Sequence, residues 1–129
     1  MTLVELMIVV AIVAILGTIA VANYRGHVIR SNRAEATAAL LRIQVAQEKY
    51  YLSRNAYANS LALLGLGSTN VTERGLYNLQ VVVDPDGDGY TARATATGSQ
   101  AVDTECQTLS IDEAGLRQPT PGPTNRCWR

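Results

Sequence analysis

Four groups of residues have the types and spacing to do chemistry. The first is a lone carboxylate, Glu5, in the apolar opening MTLVELMIVVAIVAILGTIA. A charge in hydrocarbon costs ~2.5–3.5 kcal/mol even on mild insertion scales, so Glu5 must be protonated, interfacial or paired. The only cation near it in sequence is the α-amine of Met1, one helical turn away. Within one chain that pairing suits the helix dipole, which favours negative charge at its N-terminus. Between chains it makes Glu5 a register device, because a neighbour's amine meets it at only one axial offset. The plain alternative is a glutamate at a membrane edge.

The second group is Asp84, Asp86 and Asp88 with Gly89, which fits the D-x-D-x-D-G opening of a calcium loop. Thr95 stands where that loop needs its bidentate Glu, and Asp, Pro and Gly are also turn residues, so a solvated turn fits as well. The third is the pair Cys106 and Cys127. With a single distant His27 they cannot complete a zinc site. A disulfide in an oxidising compartment is the economical reading, with unlinked thiols in a reduced cytosol as the alternative. The fourth is Arg117, Arg126, Trp128 and Arg129, whose types grip a nucleic-acid backbone and stack on bases. Trp128 could equally pin a terminal loop by packing. No phosphate loop, metal cluster or nucleophile–base pairing supports an enzyme, and calcium is the only cofactor the residues admit.

These groups need elements to hold them. The chain has 129 residues, the size of one modest domain. Its 11 basic and 11 acidic residues cancel, so nothing global points to nucleic acid. The charges are segregated, however. Arg25, Arg30, Arg33, Arg42, Lys49 and Arg54 dominate the first part; Asp84, Asp86, Asp88, Asp103, Glu105, Asp112 and Glu113 dominate a later one. Such a dipolar subunit could stack head to tail.

Residues 1–22 would rise ~33 Å as a helix, enough to cross a hydrocarbon core of ~30 Å. No Lys or Arg precedes Arg25 and no small-residue cleavage site appears, so the segment reads as a retained membrane helix rather than a signal peptide. No proline interrupts Leu3 to Leu52. Tyr24, Val28, Ala34, Ala38, Leu41, Val45 and Leu52 recur mainly at three- and four-residue steps, which predicts the buried face of one long helix. Such a helix would be ~78 Å long and must protrude from any globule the rest can form. Its front half, residues 1–24, is the membrane or filament-core part; residues 25–129 form a headpiece. The headpiece divides into helix 25–52, a loop over 53–75 with one short helical turn, and a sheet with a C-terminal cysteine region over 76–129. Strands are predicted at 76–83, 90–97 and 105–112. DPDGDG joins the first two as a hairpin, EAGLR is a further turn, and the Pro-rich tail is irregular.

The basic flank Arg25, Arg30 and Arg33 would, by the positive-inside rule, keep the headpiece in the cytoplasm, whereas the cysteines ask for the opposite side. A basic leader removed after insertion resolves the conflict and makes Met1 a processed N-terminus.

MTLVELMIVVAIVAILGTIA, continuing through Tyr24, resembles the mature N-terminus of the type IV pilins. Strands and a cysteine pair enclosing a terminal loop, with the ending CWR, agree with the family more loosely, and VIRSNRAEA with TLSIDEAGLR and its following tail cysteine looks most like minor pilins of the PilE kind. The resemblance implies an α+β ladle fold: a long N-terminal helix packed on a small antiparallel sheet, with a disulfide-closed C-terminal loop. It implies a precursor whose leader is cut by a membrane prepilin peptidase that also methylates the new N-terminus, with Glu5 taking part. Cys106 and Cys127 match the family's loop-bounding disulfide. Met1 replaces the usual Phe, and Ala22 stands where many pilins carry a helix-kinking proline, leaving Gly17 and Thr18 as a weaker break point. The function implied is that of a structural subunit. It waits in the bacterial inner membrane, is extracted by an assembly platform, and polymerises with itself or other pilins into an extracellular pilus for motility, adhesion or DNA uptake. The alternatives are a minor, tip or competence pilin that binds DNA or a surface, and a type II secretion pseudopilin.

Overall fold

A computed structural model describes residues 1–128. Helix α1 spans Leu3–Arg54, strands β1 to β4 span Tyr77–Val83, Tyr90–Ala96, Thr108–Asp112 and Arg117–Thr120, and a short helix α2 spans Thr124–Cys127. Two compact units divide at residue 31: α1 contributes Leu3–Ser31 to the first and Asn32–Arg54 to the second, which holds everything after it. The division falls seven residues beyond the expected boundary at 24, where the helix begins to bury side chains at Asn32.

In the first unit the helix is unbroken through Gly17 and Thr18, and its apolar side chains from Leu3 to Val21 are exposed. This stretch gives α1 the length and composition of a membrane span. In the second unit α1 ends with Asn55 at φ +52°, whose N–H donates to Tyr51 O at 2.7 Å. Asn is one of the few residues that takes this left-handed closing position readily.

The sheet is an antiparallel meander in the order β1-β2-β3-β4. Strict alternation puts Tyr77, Val81, Tyr90, Ala92, Ala94, Leu109 and Ile111 inside, where they pack with Ala36, Leu40 and Ile43 of α1. The inward positions of β2 include Ala92, Ala94 and Ala96, which present only methyl groups, and the larger Leu40, Ile43, Tyr77 and Tyr90 fill the space. DPDGDG forms the expected hairpin: Asp84 N–H donates to Gly89 O and Gly87 N–H to Asp84 O, both at 2.9 Å. Gly87 sits at φ +76°, open to a residue without a Cβ.

Two expectations are corrected. The tail is not irregular throughout: residues 117–120 pair with β3 as β4, and the cysteine-bearing TNRC forms α2. The face of α1 is also the wrong one. Ala34, Ala38, Leu41, Val45 and Leu52 are exposed, as is Tyr24, while Asn32, Arg33, Ala36, Leu40, Ile43 and Gln47 are buried. The helix therefore carries two apolar stripes, and the one chosen by the sheet includes polar side chains with partners waiting for them. Gln47 closes two hydrogen bonds with the backbone of Ala58, at 2.7 and 2.9 Å, which fixes the start of the loop.

Candidate functional site

Cys106 and Cys127 are joined, with Cα atoms 5.5 Å apart. The bond ties the segment before β3 to α2, and a second, non-covalent tie runs from the helix to the same two segments. Arg33 holds Asp103 bidentately, Nε to Oδ2 at 2.7 Å and Nη2 to Oδ1 at 2.8 Å. It also donates to Glu105 Oε2 at 3.3 Å and to the carbonyl of Arg126 at 3.2 Å. The side chains of Arg33 and Asp103 are only 7% and 2% exposed. Asp103 Oδ1 accepts the Cys106 N–H as well, at 3.3 Å. Beside it Asn32 donates to Gln100, and Gln100 to the Tyr77 hydroxyl. The Arg33 guanidinium is held above its ordinary value by the Asp103 hydrogen bonds, against a desolvation cost. Arg33 thus lies in a buried network instead of among the exposed basic flank; its acidic neighbours are its own chain's Asp103 and Glu105.

Glu105 is shared. Its other oxygen accepts from Arg126 Nη1 at 2.8 Å, and that contact, with Arg33, lowers its carboxyl below the usual carboxylate value. Arg126 is thereby paired with Glu105, though two-thirds exposed. Arg117 lies over the Trp128 ring, 5.3 Å from its centroid. Trp128 is half-buried and packs against the core. The structure therefore assembles Arg117, Arg126 and Trp128 around the disulfide, with Trp128 pinning the loop and offering its face to Arg117. Arg129 lies outside the described residues.

Near the chain start, Glu5 accepts from the Thr2 N–H at 3.4 Å while Thr2 Oγ1 accepts from the Glu5 N–H at 3.2 Å. This is a capping box, whose signature is T-L-V-E, and its partner for Glu5 is Thr2 and not the expected Met1 amine. Among the described residues no ion pair joins Glu5 to Met1. One glutamate oxygen, Oε2, caps the helix.

At the hairpin, a Cβ on Gly89 would stand 2.6 Å from Asp84 Oδ2 and 2.9 Å from Glu113 Oε2, so these two carboxylates crowd one glycine. Among the described residues no three His, Cys, Asp or Glu side chains gather as a metal site. Asp84, Asp86 and Asp88 lie in the exposed connection between β1 and β2. His27 is exposed on α1.

A long helix apolar at its start, a four-stranded antiparallel sheet behind its second half and a disulfide-closed C-terminal loop together define a type IV pilin. A solved structure described as a high-resolution structure of a type IV pilin from Shewanella oneidensis matches with a TM-score of 0.58 at 25% identity, over 78% of this chain and 98% of that one. A family model described as "Type IV minor pilin ComP, DNA uptake sequence receptor" matches residues 22–110. The chain belongs to that minor-pilin family.

Proposed function

We propose that this chain is a competence pilin: a minor subunit that joins a type IV pilus and contacts DNA with the exposed side of its headpiece. The match over residues 22–110 to a family named for a DNA uptake sequence receptor carries the reading, because those residues are mostly headpiece. Arg117 and Arg126 are the groups we assign to phosphate contact, held in place by the disulfide and the Arg33 network. Anisotropy titration of the full chain in detergent with labelled duplex DNA tests it. Binding should weaken with salt, and replacing Arg117 and Arg126 together with Ala should cut the log–log salt slope by ~2, since each phosphate contact contributes about 0.9. Absence of binding by the unaltered chain refutes the DNA reading; binding unchanged in the double variant refutes the patch.

A second reading, filament subunit with no ligand, is favoured by the exposed stripe Ala34, Ala38, Leu41, Val45 and Leu52, an apolar face turned away from the sheet that suits another helix. In both readings the apolar start of α1 anchors the chain in the inner membrane, a peptidase trims a leader, and an assembly platform extracts the subunit. Moving from lipid to helix contacts gains little hydrophobic energy, so packing and the Glu5 charge must set the register. Glu5→Ala should leave membrane insertion intact and abolish incorporation into sheared pili. Incorporation at the unaltered level would remove Glu5 from that role.

A further inference from the structure

Counted in sevens, the exposed face of α1 is a heptad seam. Ala34, Ala38, Leu41, Val45, Glu48 and Leu52 follow one another at alternating steps of four and three residues, and all are exposed. The opposite face, with Ala36, Leu40, Ile43 and Gln47, is the one buried in the headpiece. Val45 is 71% and Leu52 86% exposed, so nothing in the second unit shields the seam. In the first unit Tyr24, His27 and Ser31 keep the same count and are exposed too. Two titratable side chains, His27 and Glu48, therefore sit at seam positions. Among the described residues neither makes an ion pair.

A polar side chain inside a helical seam fixes register, because it is tolerable only opposite a matching group. His27 and Glu48 occupy equivalent heptad positions, which face each other when two helices run parallel. With no offset His27 meets His27, and Glu48 meets Glu48 with like charge. An offset of one heptad sets His27 on Ala34 and Glu48 on Leu41; two heptads set His27 on Leu41 and Glu48 on Ala34. Glu48 lies 21 residues beyond His27, which is three heptads, and that offset brings the two together. The same shift, ~32 Å along the axis, sets Tyr24 on Val45 and Ser31 on Leu52. Imidazole has an N–H to donate in either protonation state, and the exposed Arg30 stands one turn on as a fixed cation. We infer that the Tyr24–Ser31 stretch of a second copy docks on the Val45–Leu52 stretch, parallel and three heptads out of step, with His27 donating to Glu48. This rests on the filament-subunit reading above and adds to it the partner, its segment and its offset.

Cysteine cross-linking in the producing cells tests the offset. Tyr24→Cys is placed in one copy of the full chain and Val45→Cys in a second, differently tagged copy; sheared pili are then oxidised and run without reductant. Cys106 and Cys127 are fully buried and joined, so they do not compete. The 24–45 pair should give the main dimer. Tyr24→Cys against Ser31→Cys or Ala38→Cys, the offsets of one and two heptads, should give little. Glu48→Lys in the second copy should lower the 24–45 yield about two- to fivefold, the worth of one exposed pair. His27→Glu in the first copy should then restore it by reversing the pair. The chain present in sheared pili without the 24–45 dimer assigns this face to a different subunit and overturns the inference, with the filament reading intact. A dimer equally strong at all three offsets, or one untouched by Glu48→Lys, overturns it as well. A chain missing from sheared pili overturns both.

Discussion

Arg33→Met removes the guanidinium from the headpiece while keeping most of the aliphatic stem. Asp103 then remains 2% exposed with its two strongest donors gone, and the Arg126 carbonyl and Glu105 each lose one. Breaking a buried pair by deleting one partner costs ~3–5 kcal/mol, because the survivor's charge is left unsolvated. In a unit of roughly a hundred residues each kcal/mol moves the midpoint by ~4–8 °C, so the melting temperature should fall by ~12 °C or more. Trp128 is the only tryptophan in the chain and packs beside this network, so its fluorescence during urea or thermal denaturation reports the loop directly. Arg33→Lys should lie between the two, since an ammonium cannot grip both Asp103 oxygens in the planar fork. Arg33→Met with Asp103→Leu should recover most of the loss, because no unpaired charge remains. A shift below ~1 kcal/mol for Arg33→Met alone refutes the claim that this pair is buried and costly to break.

Four other outcomes are expected. Glu105 has its carboxyl lowered from 4.5 by Arg126 and Arg33; the stability it adds is full above 4.5 and fades as pH falls through its depressed folded value, which an acid titration of Trp128 fluorescence follows and Glu105→Gln flattens. Glu105→Gln should also tighten duplex DNA binding and steepen its salt slope, by releasing Arg126 from a 2.8 Å ion pair. Burial pushes Tyr77 from 10.0 up to about 12 and raises Tyr57 and Tyr90 as well, so three of the six tyrosines should ionise late in an ultraviolet titration, and stability present below pH 10 should be lost as pH rises through the folded values. Leu40→Ala should cost ~2–5 kcal/mol in urea denaturation, since Leu40 is fully buried at the centre of the helix–sheet contact.

Local pattern made part of this molecule legible in its sequence. The long apolar helix, the DPDGDG hairpin and two of the strands follow from periodicity and turn chemistry, which act within a few residues. The cysteine pair and the pilin-like opening pointed to a disulfide and a fold that the structure contains. Glu5's cap is equally local: Thr and Glu three residues apart in T-L-V-E exchange hydrogen bonds at the helix start.

What tertiary structure alone decided was which face of α1 meets the sheet. Helical spacing marks apolar positions but cannot say which stripe will be covered, and here the Leu41–Val45 stripe lost to one containing Asn32, Arg33 and Gln47. Those side chains have matching groups far along the chain: Asp103 lies 70 residues from Arg33, and Gln100 lies 68 from Asn32. A buried polar group is tolerable only when such partners arrive, and their arrival depends on the meander bringing residues 100–106 back to the helix. The same contact turned Arg33 from an apparent surface charge into an anchor of the loop.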